Sequence, residues 1–361
     1  MRRQLIVIAL ALFLVGGVAL SADEAVLIDF SLLKADIVAN PANQGVMTQN
    51  RGTMMDFSVG AGASFTDEQK AQMRTSLAIG NWDVELSSSS KTLLNQSLSE
   101  TKEATVAAAA KQFAGKTVFG VRVHFPIEPF NSWAKIVPPF EIPAFEKQAT
   151  IDDQGKIDDT KVPAGRPTDP TNARLTRFEG SYDPATKLTA ALGIVKNVGT
   201  IKSVAVTVRG LQFPHGLYVL LKDADGADRS LFMGYLNFDG WKTLTWDNPQ
   251  YVTDVRNREL KVNPLYPSNV PYVRFGGFVI VRDGASLGGD FVTYFKEVRI
   301  IYDRAVLDPV SDINDEDVWK IINQREDERK RLESKAFGNM QVERFLESQK
   351  KAAETNFSTA K

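Results

Sequence analysis

The chain has no cysteine and only two histidines, His124 and His215. Without thiols there is no disulfide framework, thiolate metal site, cysteine nucleophile or lipid-modified amino-terminal cysteine. Two imidazoles exclude any metal or catalytic site that needs several. An excess of one charge is also missing: 43 lysines and arginines stand against 44 acids, a formal charge of −1. Such a balance does not suit non-specific binding to nucleic-acid phosphates. No glycine-rich loop follows a strand and opens a helix, so a phosphate cradle is lacking. Long apolar runs occur only at the amino terminus.

There, Arg2 and Arg3 precede an apolar run from Leu5 to Leu20, followed by Ser21 and Ala22. This order of basic, apolar and small residues predicts a cleavable secretory signal over residues 1–22, cut after Ser21 or Ala22. The alternative is a retained anchor, but the run falls short of the roughly 20 residues of a spanning helix. Losing two arginines with the signal takes the formal charge from −1 to −3. The remainder, residues 23–310, has an ordinary globular balance, and a charged tail occupies 311–361.

The most distinctive stretch is Thr117–Glu146. Phe119, Val121, Val123 and Phe125 alternate with Gly120, Arg122 and His124, the period of a strand with one face in a core. Then Pro126, Pro129, Pro138, Pro139 and Pro143 arrive among Phe130, Trp133, Phe140 and Phe145. A loop so rich in proline and aromatics reads as rigid and in need of somewhere to bury its rings.

Elsewhere, strands are expected at Val26–Phe30, 81–86, 174–179, 201–210, 217–221, 230–237, 241–246, 272–282 and 291–303. Turn signals such as Asp223-Ala-Asp-Gly226 and Asp283-Gly284 separate several of them. Thr66 and Gln69 have capping-box spacing, which predicts a short helix from Asp67 to about Leu77. Insertions are expected at about 31–80, 87–115 and 147–172; within 87–115, Leu93, Leu94 and Leu98 would share one side of a helix. The polar stretch 147–172 reads as an exposed loop. The whole indicates an all-β, antiparallel sandwich with short helical insertions. After Pro309, Val318, Trp319, Ile321 and Ile322 suit the docked first turns of a solvated helix. An arm that contacts a neighbouring subunit is the other reading.

Candidate sites are few. Asp223, Asp225 and Asp228 suggest a calcium loop, but Gly234 stands where its closing glutamate belongs, which favours a hairpin turn. His124 lies off the apolar face and has no assignable nucleophile or carboxylate partner, so a hydrogen bond across the sandwich surface is expected. Asn95-Gln-Ser97 and Asn356-Phe-Ser358 match the glycosylation acceptor pattern. Phe130, Asn131, Trp133, Phe140 and Trp241 are the candidate interface residues, because aromatics in loops either anchor partners or lie buried.

Several runs resemble one family, the spirochaete flagellar filament outer-layer (sheath) proteins. They are Gly120-Val-Arg-Val-His-Phe-Pro126, Phe130-Asn-Ser-Trp-Ala134, Pro138-Pro-Phe-Glu-Ile-Pro143, Lys196-Asn-Val-Gly199 and Gly234-Tyr-Leu-Asn-Phe-Asp-Gly-Trp-Lys-Thr-Leu-Thr-Trp246. The resemblance spans about Val26 to Trp319. It implies a jelly-roll sandwich of the carbohydrate-binding-module kind. It also implies a non-enzymatic subunit, exported to the periplasm, that coats the flagellin core of periplasmic flagella and tunes filament shape, stiffness and motility. The implied partners are the flagellin core filament, other outer-layer subunits, and glycans on flagellin. No catalytic, metal or cofactor residue is implied, no nucleic acid, and no membrane span after signal cleavage. The alternative is a periplasmic glycan-binding β-sandwich module.

Overall fold

The alternation over residues 117–125 is realised as a nine-residue strand whose Phe119, Val121, Val123 and Phe125 are all buried. It belongs to a computed structural model. The described residues are chiefly 22–33, 74–144, 188–224, 226–258 and 270–308, with shorter pieces at 35, 38–39, 47–48, 53–56, 66, 150–151, 157–158, 178, 181–183, 262–264 and 266, and scattered positions from 313 to 335. The signal segment 1–21, the capping-box residues 67–69, Asn356 and most of 147–172 and 174–179 lie outside them.

In chain order the main strands are β1 (Asp23–Asp29), β2 (Asp83–Leu86), β3 (Glu100–Thr105), β4 (Thr117–Phe125), β5 (Ser132–Val137), β6 (Ser181–Asp183), β7 (Leu188–Ala190) and β8 (Ile194–Lys196). There follow β9 (Val198–Leu211), β10 (Gly216–Asp223), β11 (Asp228–Tyr235), β12 (Asp239–Asp247), β13 (Tyr272–Arg282) and β14 (Gly289–Arg304). An eight-stranded sheet runs β6-β7-β1-β14-β9-β12, with β4 beside β1 on the same flank of β14 and β3 outside β4. A six-stranded sheet runs β11-β10-β13-β5-β2, with β8 also on β13. Within these two sheets pairing is antiparallel except between β1 and β7; a separate short pair, Val262–Pro264 with Val306–Asp308, is also parallel.

The two sheets close on an aromatic centre. Phe278 of the six-stranded sheet stacks on Phe295 of the eight-stranded one, centroids 3.9 Å apart. Phe30, in the helical turn after β1, stacks on Phe119 at 4.7 Å, and Trp82 meets Phe119 edge-on at 4.9 Å. Val204, Val206 and Val208 of β9 are buried as their spacing requires, and each contributes roughly 1.5–3 kcal/mol of transfer free energy. The architecture is the all-β antiparallel sandwich that the turn-punctuated pattern indicates.

Several local expectations change. The proline-aromatic stretch is not one loop, because residues 132–137 form β5 between β13 and β2. Glu100–Thr105, inside the expected 87–115 insertion, is a strand of the eight-stranded sheet. The helix in that insertion, α1 (Leu93–Leu98), is one capped by the Thr92 side chain, and its Leu93 and Leu94 are exposed. Arg74–Thr75 pairs as a strand with Met55–Asp56, so no helix reaches Leu77. Thr150–Ile151 pairs with Ile157–Asp158, so the polar stretch holds regular pairing. Residues 251–258 form a helix, α2, that the sequence pattern did not signal. In the tail, α3 (Asp315–Trp319) leaves Val318 and Trp319 exposed; the buried apolar contact is Ile322.

Candidate functional site

The candidate interface residues separate once placed. Phe140 is buried, its ring 6.0 Å from that of Phe178, so it belongs to the core and offers nothing to a partner. Trp241, on β12, is half-buried with Phe113 edge-on at 5.1 Å. Phe130 is half-buried and Asn131 exposed in the turn before β5. Trp133 points outward from β5, as its alternation with buried Ala134 and Ile136 requires.

What holds this region is Arg282, the last residue of β13 and fully buried. Its guanidinium donates to the carbonyls of Pro126 (2.7 Å), Glu128 (3.1 Å) and Ser286 (2.8 and 3.1 Å). No carboxylate among the described residues pairs with it. A fork of N–H donors aimed at carbonyls fixes two loops at once, 126–131 and 283–288. The loops also meet backbone to backbone. A Cβ on Gly288 would lie 1.9 Å from the Pro126 carbonyl oxygen, and one on Gly284 3.1 Å from the Phe130 backbone. The Gly284 N–H donates to Asn131 Oδ1 at 2.8 Å. Asn131 is therefore a structural tie between the loops.

Beneath the clamp lies His215, also buried and stacked on Phe291 at 5.0 Å, with Phe125 at 5.3 Å. Its Nδ1 has no hydrogen-bond partner. Burial first, and the nearby Arg282 charge second, lower its pKa to about 4. The unfolded chain therefore takes up this proton first, near the ordinary 6.5. The stability contributed by neutral His215 is complete above about pH 6.5 and is lost as pH falls toward 4. Thermal melts should show a midpoint that falls by several degrees across that window, and His215→Phe should flatten the fall. A wild-type midpoint that does not change between pH 6.5 and 4 would contradict the assignment.

His124 bonds across the sandwich surface as expected, but it does have a carboxylate partner, Asp290. Its Nδ1 is 2.9 Å from Asp290 Oδ1, and Arg122 donates to both oxygens of the same carboxylate at 3.1 and 3.0 Å. Arg122, then His124, holds the Asp290 carboxyl below the usual range. The trio is a cross-strand tie between β4 and β14. Asp223 is engaged by Arg229 at 2.6 Å, within the β10–β11 hairpin. Among the described residues no three potential ligands gather as a metal site. Asn95 is buried, its amide donating to the Ser90 carbonyl, so it is no glycan acceptor. Among the described residues no helix is long and apolar enough to cross a membrane.

The sequence reading missed Arg282 and the outward rings of Phe232 and Tyr235 on β11. For the rings, the alternation Leu231-Phe232-Met233 was a readable signal; for Arg282 there was none.

The family model described as "Flagellar filament outer layer protein Flaa" matches residues 46–311. The chain is 48% identical over 353 residues to the "Flagellar filament outer layer protein" of Treponema pallidum (strain Nichols), covering 98% of this chain and 95% of that one. It is 41% identical over 360 residues to the protein of the same name from Spirochaeta aurantia, covering 100% and 96%. Among solved structures it is similar to a carbohydrate-binding module of the β-sandwich superfamily at 11% identity. The overlap there covers 61% of this chain and 56% of the other, with a TM-score of 0.26, and carries no functional argument.

Proposed function

Because the chain belongs to the flagellar filament outer layer protein family, we propose that it acts without catalysis, in the periplasm, by packing on the flagellin core of the filament. Its structural role in the filament's outer layer is the premise; the flagellin contact, the periplasmic location and the absence of turnover are the reading. The near full-length identity to two outer-layer proteins carries it. The arrangement of polar side chains supports it, since His124, Asp290, Asp223 and Arg282 are each engaged in structural ties. A subunit of a polymer coat needs only weak single contacts, because many copies on one filament add avidity. The basic and apolar residues before Ser21 support export.

The test is a deletion strain. Filaments purified from it should be thinner and altered in curvature, and the wild-type protein should co-purify with filaments. Unchanged diameter and curvature, with no co-purification, would sink the proposal. Trp133→Ala should weaken co-sedimentation with filaments several-fold while leaving the melting curve in place, because the ring is already half exposed. A collapsed melting curve would mean that the ring is core.

A further inference from the structure

Five exposed apolar side chains gather at one end of the six-stranded sheet. On its outer face one register row runs Trp133, Val281, Gly216, Tyr235 across β5, β13, β10 and β11. The Phe232 ring lies 5.3 Å from Tyr235 and 5.0 Å from Tyr218, and a Cβ on Gly216 would touch all three rings. From the same end rise the two loops clamped by Arg282. Their tips carry Ile127, 79% exposed, and Leu287, 92% exposed; Trp133, Phe232 and Tyr235 are 43%, 41% and 59% exposed.

We propose that this end of the six-stranded sheet, with its clamped loop pair, is the surface that docks on the filament core, and that the core meets it with an apolar site rimmed by basic side chains. The proposal rests on the functional reading above and adds the surface and the chemistry of its partner. The bare aliphatic tips decide for a protein over a saccharide, since Ile127 and Leu287 have neither a π face to stack on a sugar nor a hydrogen bond for its hydroxyls. The loops expose two acids, Glu128 and Asp283, while the cation between them, Arg282, is buried and engaged. A second copy of this surface would bring the same two acids, Glu128 and Asp283.

The area suffices for a protein contact. At these exposures three rings and two aliphatics leave on the order of 600 Å² of apolar surface. A standard interface buries about 800 Å² per partner, little more than half of it apolar. Repeated along a polymer, a patch of this size gains avidity from many copies. Because the loops are already fixed, binding orders little.

The experiment pellets the full mature chain with flagellin core filaments purified from a strain lacking the outer-layer protein. The double variant Ile127→Asp, Leu287→Asp alters only exposed positions and should melt like wild type. It should bind about tenfold more weakly. Glu128→Lys with Asp283→Lys should also weaken binding, the more so at low salt. Wild-type binding with an unaffected double aspartate variant overturns the surface alone. Release of the wild-type chain by a soluble neutral oligosaccharide, or a wild-type dimer in sedimentation velocity that the double variant abolishes, overturns the partner. Failure of the wild-type chain to pellet with cores overturns both this proposal and the functional reading.

Discussion

Arg282→Leu is expected to destabilise the fold by about 3 kcal/mol, because the buried Pro126 carbonyl and the part-buried carbonyls of Glu128 and Ser286 lose their guanidinium donor. Leucine restores part of the apolar volume but none of the donors. Amide exchange should rise in 126–131 and 283–288 before it rises in the sheets. His215 gives a second readout. The Arg282 charge helps to lower its pKa, so the variant should titrate His215 nearer its ordinary value by NMR. Arg282→Lys keeps the charge but cannot fork to three carbonyls, so it should recover the titration and only part of the stability. If Arg282→Leu matched wild type in denaturant midpoint and loop exchange, the two loops would not depend on the clamp.

The second large effect is at Gly288. Adding a single methyl group there brings Cβ to 1.9 Å from the Pro126 carbonyl oxygen and 2.8 Å from the Ile127 Cα. Both atoms are backbone, so no rotamer change relieves the clash and the loops must part. We expect Gly288→Ala to cost about 3 kcal/mol in chemical denaturation. Filament binding should fall with it, since the spacing of Ile127 and Leu287 is lost. Gly80→Ala is the control: its Cβ would meet nothing within 4 Å and should change stability little. Equal midpoints for the two variants would show that the loops are not packed as described.

The parts of the fold that could be read from sequence are those in which one strand carries its own pattern. Residues 117–125 and 201–210 alternate, 272–282 is a run rich in β-formers closed by Asp283-Gly284, and all are strands. Ser132–Val137 alternates too, with Ala134 and Ile136 inward, but the prolines on both sides hid it among loop signals. Glu100–Thr105 could not be read, because an outer strand that buries little except Thr101 needs no apolar face. The candidate site was half legible. Trp133 stood out as an aromatic beside Asn131 and Ser132, yet its row depends on register with Val281 and Tyr235, which no local pattern encodes. Phe140 looks like Trp133 in sequence and is core. The Arg282 clamp was invisible because its acceptors are carbonyls of no particular residue type, two of them 154 and 156 residues away.

Strand β14 pairs with β4 and β1 along one flank and with β9 along the other. The pairing of residues 23–29 with 297–302 therefore joins the first strand to the last long one. The eight-stranded sheet has no complete version until nearly the whole chain is available. Such non-local topologies fold slowly, on the order of milliseconds to seconds. A chain that emerges amino terminus first cannot lock its own leading strand early. It stays pliable through most of its synthesis and becomes rigid only after the last long strand has arrived.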